Sequence, residues 1–123
     1  DMIEAEFIIN VTSNDPFFCT KFATECNKYG FSLNFIEKTE ILDKNKNIFK
    51  DNLSIAIIDI DEDNLDLANL IKQKIRIPVF GIYNKFSKSL QIKAKKQGFD
   101  LTFTKSLLIN SIKSIVVHII SEK

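Results

Sequence analysis

The sequence predicts a doubly wound α/β fold, a five-stranded parallel sheet with helices on both faces, three layers in all. Segments of strand character and segments of helical period alternate five times along 123 residues. A parallel pairing needs a crossover, and the crossover helix must lie on a face of the sheet. The run Ser54-Ile-Ala-Ile-Ile-Asp-Ile-Asp61 is too apolar for a surface strand, because five of the six residues 55–60 are Ile or Ala. Such a run marks a strand covered on both faces. No internal repeat, low-complexity stretch or Pro/Gly/Ser linker interrupts the alternation. Residues 1–123 are therefore expected to form one domain, and a start at Asp1-Met2 reads as a domain taken from a longer chain.

The elements follow in order. A strand is expected over residues 6–12, then a helix opened by Asn14-Asp15-Pro16 and running to 29, with Gly30 as its stop. Alternation across Phe31-Ser-Leu-Asn-Phe-Ile36 gives the second strand. The next segment, residues 40–51, is polar and carries the weakest helical pattern in the chain. After the apolar third strand, a helix is predicted over 63–74, with Asp63 and Asp66 suited to its N-terminus. A fourth strand over 77–83 precedes a helix over 87–97 that Gly98 ends. A short strand over 100–104 leads into a last helix over 106–121. For five such units the natural strand order is flavodoxin-like, 2-1-3-4-5, with the functional crevice at the carboxyl ends of strands one and three.

Composition narrows the function classes. Apolar residues make up 45% and charged residues 27%, the balance of a globular domain. With 17 basic against 16 acidic residues the formal charge is +1, which gives no footprint for direct contact with nucleic acid. No apolar run approaches the ~18 residues of a membrane span, and the first residues lack a cationic-then-apolar signal. The cytoplasm is the expected compartment, without membrane partners. Cys19 and Cys26 lie seven apart on one predicted helix, about 10 Å along its axis, too far for a disulfide. They are expected to pack as small apolar residues. His118, the only histidine, has no catalytic partner in its own segment.

Candidate chemistry collects at the strand ends. Ser13-Asn14-Asp15 follows strand one, Asp59 and Asp61 follow strand three, Tyr83-Asn84 strand four, and Thr104-Lys105 strand five. A carboxylate ending a buried strand is the most informative of these, because ligands gather at the carboxyl ends of such sheets. Its plain alternative is a buried strand running into a solvated acidic turn. There is no Gly-rich phosphate loop, dinucleotide fingerprint or Walker lysine, so nucleotide or flavin chemistry on this fold has no motif to carry it.

From residue 6 to residue 121 the chain resembles the receiver domain of response regulators, the phosphate-accepting module of two-component signalling. Ile57-Ile-Asp59-Ile-Asp61, Ile77-Pro-Val-Phe-Gly-Ile-Tyr83 and Gly98-Phe-Asp-Leu-Thr-Phe-Thr-Lys105 carry the resemblance, with Pro16 and Gly30-Phe31 around the first helix. It implies that Asp59 is the phosphoacceptor and that Lys105 neutralises the phosphoryl group. It also implies Mg²⁺ as cofactor, a histidine kinase or phosphotransfer protein as donor, and a fused or separate output domain. A carboxylate attacking a phosphoryl donor faces an anion, so positive charge at the site is a physical requirement.

The chain departs from that pattern at three places. Ser13 and Asn14 stand where the acidic pair for Mg²⁺ would be, which weakens a hard-cation site that works through carboxylates. Asp15 and Asp61, with Asp59, are the residues that can supply the missing charge. Tyr83 replaces a small hydroxyl residue, and Thr102 replaces the aromatic switch residue, so large and small look exchanged between the two positions. The last helix carries apolar residues over more than the ~100° stripe needed for a single core face, which nominates Ile109, Val117 and Ile120 as a partner or homodimer surface. Lys88, Lys93, Lys95 and Lys96 read as a solvated face. Two functions remain open: a phosphorelay receiver acting at Asp59, or a phosphorylation-independent pseudo-receiver that binds or dimerises. Neither is an enzyme in the turnover sense.

Overall fold

The computed structural model describes residues 7–49 and 53–122. Ten elements alternate as expected: β1 (Ile8–Thr12), α1 (Pro16–Lys28), β2 (Ser32–Phe35), α2 (Lys38–Leu42), β3 (Ser54–Asp59), α3 (Leu67–Lys74), β4 (Val79–Tyr83), α4 (Lys88–Lys96), β5 (Leu101–Thr104) and α5 (Lys105–Ser121). The sheet is parallel with order β2-β1-β3-β4-β5, so the strand order read from the sequence holds. Position 6 of the expected first strand lies outside the described residues.

Alternation along the strands sorts the core into two layers. Ile55 and Ile57 of β3 join Ile9, Val11, Phe80 and Ile82 against α1 and α5, where Phe18, Phe22, Leu108, Ile112 and Val116 are buried. Ala56 and Ile58 face the other way, against Ile41 of α2, Leu67 and Ile71 of α3 and Ala94 of α4. Every residue of β3 is buried, as a strand between two helical layers must be. Cys26 sits in the α1 side of the core, where burial pushes its thiol pKa up to about 12, and Cys19 is partly buried against the same cluster. Both pack as the sequence suggested.

Two helices differ from expectation. The helix expected over 40–51 is only Lys38–Leu42, opened by a capping box between Glu37 and Glu40. Asp43 and Asn47 then bond the backbone two residues on, at Asn45 and Phe49, and such local bonds compete with helix propagation. Lys74 Nζ fastens this loop by donating to the carbonyls of Ile41, Asp43 and Lys46. Positions 50 and 51 lie outside the described residues. The third helix starts at Leu67 rather than 63, because Asn64 is taken into the loop: its side chain donates to Asp59 O at 2.9 Å.

Gly30 and Gly98 end α1 and α4 with φ of +72° and +97°, the left-handed conformation that glycine adopts most easily. At Gly98 a Cβ would also run into Asn69 Oδ1. Gly98→Ala is expected to lower unfolding stability by about 1–3 kcal/mol, read by denaturant titration. An unchanged midpoint would contradict the assignment.

Candidate functional site

Three chain segments deliver charge to one point at the carboxyl edge of the sheet. Asp59 continues the parity of Ile55 and Ile57, so its side chain projects to the α1/α5 side, where it is 1% exposed. Asp15 stands just past β1 as the N-cap of α1, with Oδ1 accepting from Phe17 N at 3.0 Å and Phe18 N at 3.2 Å and Pro16 in the first turn. Lys105 is the first residue of α5, directly after β5, and Thr104 caps that helix by accepting from Leu107 N. Each is placed by an ordinary local rule, a strand alternation or a helix start.

The Lys105 ammonium is the centre of the arrangement. Its Nζ lies 2.9 Å from Asp59 Oδ2, 3.0 Å from Asp15 Oδ2 and 3.6 Å from Asp61 Oδ2. Ser13 Oγ donates to Asp59 Oδ2 at 2.6 Å and accepts from Asp15 N at 3.1 Å. Asp61 N donates to Asp59 Oδ1 at 3.1 Å, and Asn84 N donates to Asp61 Oδ2 at 2.7 Å. The sequence-nominated residues Asp15, Asp59, Asp61 and Lys105 therefore meet, with the ammonium between the acids.

Burial works to lower the Lys105 pKa, but hydrogen bonds and charge from Asp59 and Asp15 outweigh it and the net shift is upward from 10.5. The hydrogen bond from Lys105, with the main-chain N–H groups of Phe18 and Phe17, holds the Asp15 carboxyl below its ordinary 3.8. Lys105 stays charged throughout the neutral range.

The contacts of three contributors do not follow from the sequence. Ser13 is named there among the strand-end residues and as a missing charge, and the structure adds that its hydroxyl donates to Asp59. Asn14 N and Nδ2 bind Glu62 at 2.7 and 3.2 Å, which ties the end of β1 to the loop after β3. Asn64, buried at 2% exposure, holds the Asp59 carbonyl. The Ser13–Asp59 and Asn14–Glu62 pairs are 46 and 48 residues apart in sequence, so only the folded sheet edge reveals them, and the Asn64–Asp59 bond, five residues apart, follows no short motif.

Tyr83 and Thr102 lie on the other face of the sheet. Tyr83 is buried and its hydroxyl meets Thr102 Oγ1 at 3.2 Å, while its ring packs edge-on against Phe86. The bulk of the tyrosine thus fills the space beside the small residue, in line with the exchange of sizes noted in the sequence. On α5, Val117 and Ile120 are exposed, whereas Ile109 packs in part against the core. Ile109 therefore contributes less outward surface than the helical pattern suggested. Lys88, Lys93, Lys95 and Lys96 all face solvent.

The residues at this edge do not fit a divalent cation in the arrangement they adopt. Asp15 Oδ1 caps a helix, Asp15 Oδ2 and Asp59 Oδ2 bind Lys105, Asp59 Oδ1 accepts from Asp61 N, and Asp61 Oδ2 accepts from Asn84 N. Mg²⁺ demands oxygens at about 2.0–2.1 Å in octahedral array, and the space between the three acids holds an ammonium instead. Among the described residues no group of three His, Cys, Asp or Glu side chains could hold a metal ion. No helix among them is long and apolar enough to cross a membrane.

No protein-family model and no curated protein matches the chain. Solved structures do match. A response regulator from Thermotoga maritima superposes with a TM-score of 0.72 at 16% identity, covering 92% of this chain and 99% of that one. A response regulator receiver protein from Pseudoalteromonas atlantica gives 0.68 at 13% identity, covering 90% and 98%. An atypical orphan response regulator, whose structure revealed a phosphorylation-independent regulatory mechanism, gives 0.64 at 16% identity, covering 89% and 95%. At these identities the likeness establishes the fold: the chain has the receiver-domain architecture.

Asp15→Asn keeps an oxygen for the helix cap but removes the charge that faces Lys105. Because the folded pKa of Asp15 lies below its unfolded value, its contribution is present above pH 3.8 and is lost as pH falls through the lower folded value. Wild type is expected to exceed Asp15→Asn by about 0.5–1 kcal/mol at neutral pH, with the gap closing in acid. Thermal melts across that range read it. A gap that is the same at every pH would show that the charge contributes nothing.

Proposed function

We propose that this chain is a receiver-type signalling domain in which Asp59 is the phosphoacceptor and Lys105 its charge partner. The observation that carries the proposal is the buried Asp59 at the carboxyl end of the central strand, 2.9 Å from Lys105, on a receiver-domain fold. In this reading an Asp59 carboxylate oxygen attacks the phosphorus of an acyl or phosphohistidine donor. The bond from phosphorus to the donor's oxygen or nitrogen breaks, the electron pair leaves with that atom, and an aspartyl phosphate remains. Lys105 supplies positive charge to the incoming phosphoryl oxygens, and the Ser13 hydroxyl and Asp61 N–H are donors already in place around Asp59.

The donor would be a histidine kinase or phosphotransfer protein, and the signal would pass to a fused or separate output domain. The domain itself turns over no substrate. Mg²⁺ would supply further charge to the phosphoryl group in a conventional receiver. Here it would have to displace Lys105 from carboxylates that Lys105 already binds, and so the metal part of the conventional reading is the weakest.

A second reading is favoured by one feature of the site. Both oxygens of Asp59 are engaged, and Tyr83 is buried where a small mobile hydroxyl would be needed. In that reading the domain signals by docking or by self-association through α5, with Val117 and Ile120 outward, and needs no phosphoryl group. The likeness to the atypical orphan response regulator is in keeping with it.

One experiment separates the two. Wild type and Asp59→Asn are incubated with acetyl phosphate and millimolar Mg²⁺, and intact mass is followed. Gain of one phosphoryl group in wild type alone is expected from the first reading. No Asp59-dependent gain overturns it and leaves the docking module.

A further inference from the structure

Three polar residues stand on the face of the sheet that looks away from Asp59. Ile9, Leu33 and Ile55 pack on the α1/α5 side, so alternation turns Asn10, Asn34 and Ser54 to the α2/α3 side. Asn10 and Ser54 are 4% and 2% exposed, and burying an amide or a hydroxyl is costly unless it is bonded. Asn10 Nδ2 donates to Ile55 O at 3.0 Å, which leaves its Oδ1 to accept from Asn34 Nδ2 at 3.2 Å. The two amides form a chain from β3 to the edge strand β2, where Asn34 is exposed. Among the described residues the carbonyl oxygen and second N–H of that amide bind no other group. The Asp59 cluster uses none of these residues.

This chain of amides lines a cavity of about 530 Å³, a volume in the range of small-molecule sites. The cavity lies beside α2, which stops at Leu42, and the loop that follows adds Lys46, Asn47 and Ile48 to its lining. Lys74 fastens that loop through the carbonyls of Ile41, Asp43 and Lys46. The charged residues among the described lining are Glu40 and Lys46, opposite in sign and 3.7 Å apart. They cancel, and a phosphate, carboxylate or ammonium ligand would find no spare counter-charge to offset its desolvation.

We propose that this cavity is a binding site for a neutral, planar ligand whose edge carries a hydrogen-bond donor beside an acceptor, as a carboxamide or an amino-substituted heterocycle does. Asn34 reads that edge with its remaining oxygen and N–H, in the way an asparagine pairs with the N6 and N7 atoms of adenine. Asn10 is a positioning residue: its Oδ1 holds Asn34 Nδ2 and so fixes which way the second amide faces. Phe35, 49% exposed, and Ile48 offer apolar surface to the faces of the ligand. The site stands whether or not Asp59 accepts a phosphoryl group.

Nicotinamide, adenine and nicotinate, the anionic counterpart of the first, are titrated to millimolar concentration into wild type and Asn34→Leu, with backbone and side-chain amide signals followed by ¹⁵N-correlated NMR. At least one of the two neutral compounds is expected to shift the Asn34 and Asn10 side-chain signals saturably. Nicotinate in wild type, and that neutral compound in Asn34→Leu, are each expected to bind at least about tenfold more weakly. The proposal is overturned if neither neutral compound gives saturable shifts, or if the shifts fall outside the cavity. It is overturned equally if nicotinate matches the neutral compounds or if Asn34→Leu binds as well as wild type. Should Asn34→Leu fail to fold, Asn34→Thr, a residue suited to a strand, takes its place under the same criteria. No readout involves phosphoryl transfer, so failure here is distinct from failure of the phosphoacceptor reading.

Discussion

One ammonium against three carboxylates is the contact around which the carboxyl edge of this sheet is organised. Lys105 links the start of α5 to the cap of α1 and to the end of β3, and Asp61 extends the connection to β4 through Asn84 N. Without it, two buried or half-buried acids and one more exposed acid would face one another with only Ser13 and main-chain donors between them. Taking charges out of water costs several kcal/mol per ion, and a buried pair recovers that only when its geometry is good and its remaining bonds are satisfied. Here they are satisfied: among the described residues no buried side-chain nitrogen or oxygen lacks a partner.

The same contact leaves Asp59 with no free carboxylate oxygen. Asp59 is oriented by Lys105, Ser13 and Asp61 N at once, so both of its oxygens are held by donors. On the opposite face, Tyr83 is held by Thr102 and packed on Phe86. A large ring in a dense core moves by discrete repacking and not by a small slide.

Much of this was legible in the sequence, and the failures have local causes. The apolar run at 55–60 identified the central strand, and the alternation around it led to the sheet order. The position of Asp59 and its partnership with Lys105 followed from strand ends and resemblance. Helix α2 was overestimated because residues 43–47 carry Asp and Asn side chains that bond their own backbone, which a hydrophobic period does not register. The start of α3 was placed early because Asp63 and Asp66 look like a helix cap, while Asn64 is bound back to Asp59. Ser13 and Asn14 were visible as strand-end candidates and as missing charge, but not by their contacts. Their roles as donors to Asp59 and Glu62 arise from contacts 46 and 48 residues apart, which only the folded sheet edge brings together.

The contact at 2.9 Å implies that Lys105 and Asp59 are energetically coupled and not merely adjacent. A double-mutant cycle with Asp59→Asn, Lys105→Met and the pair, followed by denaturant unfolding at neutral pH and without divalent ions, measures that coupling directly. The expected result is that the double variant loses less stability than the sum of the single losses, with a coupling of about 1–3 kcal/mol. Additive losses would mean that the two are not coupled, leaving Lys105 as a bystander at the edge of the sheet.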